Sequence, residues 1–197
     1  MKLLVLASIS ARRKTLLKQL GLQFIVVPSL VEERLNPRLK PRGQAEALSL
    51  QKAEAVEKKY RENKNHDQCV IIAADTIVTI DDEVLNKPKG EKEAMQMLRR
   101  LSGKRHSVIT GFSLIDIDSK KIITKSVETL VYFRKLSERE IREYVKREKV
   151  YDKAGAYAVQ GIGATFIEKI EGDYSNIVGL PLHAIALELR RFGVSVL

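Results

Sequence analysis

A mixed α/β domain with two lobes around a central cleft is the fold class this sequence predicts, on three observations. Short apolar runs with strand character alternate with amphipathic stretches of helical period, the pattern of an α/β fold. Residues 70–74 are apolar without interruption, as a strand covered on both faces must be. A chain of 197 residues with 44% hydrophobic content is enough for a sizeable core, so residues 1–197 are expected to form a single domain.

The elements follow in order. Residues 3–7 form a short apolar strand that runs straight into Ser8-Ile9-Ser10-Ala11-Arg12-Arg13. Residues 12–20 read as a helix closed by Gly21, because the position after a helix favours left-handed backbone. Residues 24–27 read as a strand ended by Pro28. A charged loop with Pro37 and Pro41 covers residues 31–43. A long helix then spans residues 44–61, with Ala45, Leu48, Ala55 and Val56 along one face. The apolar run 70–74 leads into Asp75-Thr76, which predicts a buried strand ending on a carboxylate, and residues 77–80 precede a turn at Asp81-Asp82. Residues 91–101 are amphipathic through Ala94, Leu98 and Leu101 and stop before Gly103. Two strands, 107–117 and 122–133, are joined by a hairpin at residues 118–121. Ser137-Glu138-Arg139-Glu140 is a capping box opening a helix with Ile141, Tyr144 and Val145 inward. Five of the eleven glycines lie between Gly155 and Gly179, so backbone comes close to something there. A strand is expected within that region at residues 164–170, and Pro181 starts a last helix to about Phe192.

The formal charge of +10, from 35 Lys and Arg against 25 Asp and Glu, favours an anionic partner: a nucleotide, a nucleic acid or an acidic membrane surface. The charged fraction of 30% and the absence of Trp also suit a heat-adapted protein. No run approaches the ~18 apolar residues of a membrane span, and residues 3–7 are too short for the core of an export signal, so no membrane association is expected. The lone Cys69 agrees with a reducing compartment, and the cytoplasm is the expected location. There is no Walker A loop, G-x-G-x-x-G, H-E-x-x-H or C-x-x-C, and the three histidines lack ligand spacing. Zinc, iron–sulfur and dinucleotide chemistry are therefore set aside.

Several residues carry chemistry. Ser8 and Ser10, the backbone N–H groups of the following helix, and Arg12 and Arg13 suit a phosphate; the rival reading is a helix cap with solvated arginines. Asp75 suits a metal ligand or general base, or else an Asx-turn. Lys52 lies seven residues after Ala45 and four after Leu48, on the apolar stripe. Its ammonium either contacts phosphate or snorkels to the rim. Lys87 precedes Pro88, which restricts it to extended geometry and fixes its direction. Glu32-Glu33 is a solvated pair or the source of a second metal carboxylate. Small residues around Tyr157 and Gln160 suit a nucleobase whose edge an amide reads, or form a tight turn with Gln160 exposed.

Taken together, Leu6-Ala7-Ser8-x-Ser10-x-Arg12-Arg13, Glu33, Lys52-Ala53, Ala74-Asp75-Thr76, Lys87-Pro88, Leu101-Ser102-Gly103-x-x-His106-x-Val108-x-Thr110-Gly111, Asp152-Lys153-Ala154-Gly155-Ala156-Tyr157, Gln160-Gly161 and Gly172-Asp173-Tyr174-x-Asn176-x-Val178-Gly179-Leu180-Pro181-Leu182 resemble the Maf family of nucleoside triphosphate pyrophosphatases. The resemblance spans nearly the whole chain. It implies an ITPase-like fold, a mixed sheet flanked by helices, related to the inosine triphosphate pyrophosphatases. It also implies cytoplasmic hydrolysis between the α and β phosphates of a nucleoside triphosphate with a divalent metal cation, Mg²⁺ or Mn²⁺. By the same resemblance Asp75 is the catalytic proton acceptor, Arg13, Lys52 and Lys87 face phosphate, and Glu33 serves metal and water, with Asp75 as the other metal ligand. Arg12, Thr76 and Gln160 hold the positions that separate substrate groups, in the combination of the dTTP/UTP group, modified pyrimidine nucleotides included, rather than the 7-methyl-GTP group. A homodimer is compatible with the family. Two departures stand out: Ala11 replaces a usual proline, and Lys149-Val150 a common Glu-Pro. The rival from another class is a nucleic-acid-binding or septum-formation regulator without turnover. It is disfavoured because 6% aromatic content includes no stacking ladder. A third reading, a purine house-cleaning enzyme acting on ITP, differs in the base turned over.

Overall fold

The computed structural model describes residues 2–32, 36, 38–62 and 68–196. Seven strands form one mixed sheet: β1 (Leu3–Leu6), β2 (Phe24–Val26), β3 (Cys69–Ile80), β4 (Glu83–Leu85), β5 (Arg105–Asp116), β6 (Ile122–Phe133) and β7 (Ile167–Glu171). Their order is β2-β1-β3-β5-β6-β7, with β4 paired to β3. The chain divides into two compact units, one of Met1–Asp75, Thr110–Val127 and Gly179–Leu197, the other of Thr76–Ile109 and Glu128–Val178. Among the described residues no helix is long and apolar enough to cross a membrane.

In the first unit β1 pairs in parallel with β2 through Leu4↔Phe24 and with β3 through Leu4↔Val70. A central parallel strand is covered on both faces, and Leu4–Ala7 and residues 69–74 are accordingly buried throughout. Helix α1 (Ala11–Gln19) ends at Leu20, and Gly21 follows with φ +68° as anticipated. Helix α2 (Pro41–Glu62) begins three residues earlier than the sequence suggested, because proline at the first helical position loses no hydrogen bond. The charged loop is correspondingly shorter. Ala53, Val56 and Tyr60 of α2 pack on Val5 and Ala7 of β1, on Cys69, Ile71 and Ala73 of β3 and on Ile115 of β5. Side chains alternate along a strand, so the next residue of β3 on this face is Asp75. The last helix, α6 (Leu182–Arg190), buries Ile185, Glu188 and Leu189.

One expectation is corrected here. β3 does not stop at Asp75; it continues to Ile80 as a single strand and turns into β4 at Asp81 and Asp82, both with positive φ. That geometry belongs to a two-residue hairpin turn. The carboxylate does not end the strand because a charged partner, described below, meets it inside the fold.

The second unit holds helices α3 (Glu91–Leu101), α4 (Glu138–Arg147) and α5 (Tyr174–Val178). Leu98 and Leu101 of α3 and Ile141 and Tyr144 of α4 share a core with Val78, Val108, Val131, Phe133 and Phe166. The capping box is formed as read from sequence: the Ser137 side chain accepts from Glu140 N and the Glu140 side chain from Ser137 N. The strand expected at residues 164–170 is β7, which begins three residues later because Gly161–Phe166 form a 3₁₀ turn. Gly161 is left-handed at φ +67°, and a Cβ on Gly163 would lie 2.2 Å from the Ala158 carbonyl oxygen, so the chain folds back there before it can extend. Helix α5 was not anticipated; the Asp173 carboxylate opens it by accepting from Ser175 N and Asn176 N.

Inside this core His106 is 2% exposed, and its Nε2 lies 2.7 Å from the Tyr157 hydroxyl. Burial lowers its pKa to about 4, while the unfolded chain titrates near 6.5. Between those values the unfolded state binds the extra proton, so this stability is present above about pH 6.5 and is lost as pH falls toward about 4. The gap corresponds to about 3 kcal/mol. Denaturant unfolding of wild type and His106→Gln across pH 4–7 should show a shallower loss in the variant; parallel curves would remove His106 as the cause.

Candidate active site

Two clusters of the first unit are built on neighbouring strands, one just past the end of β1 and one within β3. At the end of β1, Ser8 is buried, its Oγ accepts from Ser10 N at 3.2 Å, and Arg13 Nη1 approaches the same oxygen at 3.5 Å. Ser10 caps α1, its Oγ accepting from Arg13 N at 3.4 Å. Ala11 is the first residue of α1, so the residue found where proline is usual still starts the helix. Arg13 Nε donates to the carbonyl oxygen of Gly179 at 2.8 Å, which orients the guanidinium. Arg12 is half-buried on the same turn. Capping and anion binding are thus compatible here: Ser10 caps, while Ser8, the α1 N-terminus and the arginines gather positive potential.

The second cluster is an ion pair. Lys52 Nζ of α2 lies 2.5 Å from Asp75 Oδ1 of β3, with side chains only 11% and 10% exposed. The apolar stripe that carries Lys52 thus delivers an ammonium to a buried carboxylate rather than to the rim. The strands that carry the two clusters are neighbours: β1 pairs with β3 as far as Leu6↔Ile72, Ala7 N donates to Ile72 O at 2.8 Å, and the chain then turns with Ser8 N donating to Leu6 O at 3.0 Å. Neighbouring strands lie about 4.8 Å apart.

Three candidate residues belong to the second unit. Thr76 follows Asp75 in β3 and is half-buried. Lys87 is exposed between β4 and α3, and its neighbour Asn86 accepts from Gly155 N at 3.3 Å, linking this stretch to the 3₁₀ turn Ala154–Ala156. Gln160 is exposed just before the Gly161–Phe166 turn, in a loop held by Ala158 N donating to the Tyr144 hydroxyl at 3.1 Å. Tyr157 does not face a base as its setting suggested. It is 5% exposed, and its ring stands edge-on to Phe133 and His106. Val150, at the other departure from the family pattern, is fully buried in the same core. Glu32 is exposed, and Glu33 lies outside the described residues.

The contact between the Gly179 carbonyl and Arg13 was not anticipated from sequence, although Gly179 itself was noted. Its φ of +120° is a conformation that side chains rarely adopt, in keeping with the close backbone approach expected of the glycine-dense C-terminal region.

As a metal site, the described residues offer the Asp75 carboxylate and no group of three His, Cys, Asp or Glu side chains. That donor set does not fit an all-protein cage. It fits Mg²⁺ or Mn²⁺, hard ions that take one or two carboxylates and complete their shell with substrate phosphate and water.

The Maf-like protein family model matches residues 3–192. The chain is 46% identical over 198 residues to the dTTP/UTP pyrophosphatase of Alkaliphilus oremlandii and 44% identical over 198 residues to that of Ruminiclostridium cellulolyticum, covering 100% of both partners in each comparison. It is 43% identical over 197 residues to the dTTP/UTP pyrophosphatase of Caldicellulosiruptor saccharolyticus, covering 100% of this chain and 98% of the relative. Among solved structures it is similar to the Staphylococcus aureus Ham1 protein at a TM-score of 0.47 and 13% identity, over 84% of this chain and 80% of that one. With a family model spanning nearly its whole length and full-length relatives above 40% identity, the chain belongs to the Maf family.

Proposed function

We propose that this chain hydrolyses dTTP and UTP to the nucleoside monophosphate and pyrophosphate. The observation that carries the reading is the buried Lys52–Asp75 pair beside the Ser8, Ser10 and Arg13 cluster. The full-length relatives named dTTP/UTP pyrophosphatase support the substrate.

The site works by positioning and charge. Ser8, Ser10, the α1 N-terminus and Arg13 bind the triphosphate, and Lys52 and Lys87 add cations. Asp75, oriented by Lys52, accepts a proton from a water aimed at the α-phosphorus. The bond from that phosphorus to the bridging oxygen breaks, and pyrophosphate leaves with its new charge met by the arginine and lysines. Arg12, Thr76 and Gln160 discriminate among nucleotides. Mg²⁺ or Mn²⁺, held by Asp75 with Glu33, supplies charge neutralisation on phosphate oxygens when bound. The reaction belongs in the cytoplasm, in keeping with a sequence whose single cysteine is the buried Cys69.

Pyrophosphate and monophosphate release from dTTP, UTP, 7-methyl-GTP, ITP and ATP with Mg²⁺ or Mn²⁺ tests this. Equimolar pyrophosphate and dTMP or UMP is expected, with the other nucleotides slower. Orthophosphate release, or no turnover of dTTP and UTP, would overturn it.

A further inference from the structure

We infer that Gly111 is a positioning residue, which sets helix α2 on strand β5 at the register that brings Lys52 to Asp75. The inference concerns residues of the first unit and rests on the catalytic reading given above.

Three same-face residues of β5 meet α2 in succession. At Gly111 a Cβ would lie 2.2 Å from the carbonyl oxygen of Ala45, 2.3 Å from its carbonyl carbon and 2.5 Å from Glu46 N. All three are backbone atoms, so no rotamer change relieves the overlap. Two residues on, Ser113 Oγ lies 2.8 Å from Ser49 Oγ. Ser49 donates to Glu46 O at 2.8 Å, which leaves Ser113 to donate to Ser49 and Thr124, at 2.9 Å, to donate to Ser113. After two more residues Ile115 packs with Ala53 and Val56. Four helical residues rise about 6 Å and two strand residues about 6.6 Å, so the two elements run alongside with nearly matched spacing.

Within this ladder the glycine sets how closely the helix approaches, and the hydroxyl chain sets where along the strand it rests. Lys52 is three residues beyond Ser49, and Asp75 is the next residue after Ala73 on the β3 face that α2 covers. The ammonium therefore meets the carboxylate because of a contact made elsewhere on the helix. A methyl group at position 111 displaces the helix by roughly an ångström, since packed backbone cannot absorb the overlap. A misplacement of that size costs about a hundredfold in rate.

The test compares Gly111→Ala, Ser113→Ala and Val56→Ala by kcat and KM for dTTP, thermal midpoint and crystal structure. Val56 packs in the same interface, in the cluster that holds Ile115, so Val56→Ala loosens packing without a steric push. Gly111→Ala is expected to lose about a hundredfold in kcat with KM within about threefold, and Ser113→Ala a smaller part of it. Val56→Ala keeps its kcat at an equal or lower thermal midpoint. In crystals of Gly111→Ala, Lys52 Nζ should be more than about 4 Å from Asp75, outside ion-pair range. Wild-type kcat in Gly111→Ala, or losses that merely track thermal midpoint across all three variants, would overturn the proposal. If Gly111→Ala does not fold, Ser113→Ala decides: unchanged kcat overturns the proposal, and a fall that Val56→Ala does not share supports it. Should wild type turn over no triphosphate, the functional reading fails by itself. The crystallographic distance then decides the positioning role, an unchanged pair overturning it.

Discussion

Asp75→Asn is expected to lower kcat for dTTP by at least about a thousandfold, within the range attributed to a positioned general base together with local charge stabilisation. Asparagine keeps the size of the side chain and an oxygen that accepts from Lys52 Nζ, which now lies 2.5 Å from the carboxylate. It cannot take a proton from water. The fold should persist, because β3 is held by its ladder to β1 and by the core contacts of Ile71 and Ala73. Pyrophosphate release measured beside far-ultraviolet circular dichroism separates the two effects. A folded variant with turnover like wild type would remove Asp75 from the chemistry.

Lys52→Met carries the largest expected effect on stability. Methionine fills much of the space but leaves a buried carboxylate without its cation, a change that costs about 3–5 kcal/mol. For a chain of this size each kcal/mol shifts the thermal midpoint by about 2–4 °C, so a fall of roughly 6–20 °C is expected. The double variant Lys52→Met/Asp75→Leu should recover most of that loss, since an apolar pair of similar volume is often as stable as a buried ion pair. Neither variant should turn over substrate. Calorimetry of the single and double variants decides: a double variant no more stable than the single one would show that the unpaired carboxylate is not the source of the loss.

The two substitutions divide the work of the pair. On the proposed function Asp75 takes the proton, and Lys52 keeps that carboxylate inside the fold. Buried ion pairs are poor stabilisers, so the one between α2 and β3 is better explained by chemistry than by folding.

Much of the local structure was legible from residue pattern. Ser137 and Glu140 specify their own cap, Gly21 takes the left-handed backbone expected past α1, and the bounds of α3 and β6 match those read from sequence. Each depends on neighbours within a few positions. The candidate site was legible as residue types: Ser8, Ser10 and Arg13 do gather at the start of α1, and Lys52 stood out on an apolar stripe, although phosphate or the rim, not Asp75, was where its ammonium was expected.

What the sequence by itself determined was therefore the alternation of elements, their caps, and which face of α2 and β3 carries a charge. The tertiary structure alone decided which charges meet, that β3 passes through Asp75 without ending, that Tyr157 turns into the core against His106, and that Gly111 and Gly179 bring backbone against Ala45 and Arg13. The physical reason is range. Capping and periodicity act over one turn or one strand, whereas Lys52–Asp75, Arg13–Gly179 and Ala45–Gly111 join residues far apart in sequence, whose contact depends on how closely a helix can approach a sheet.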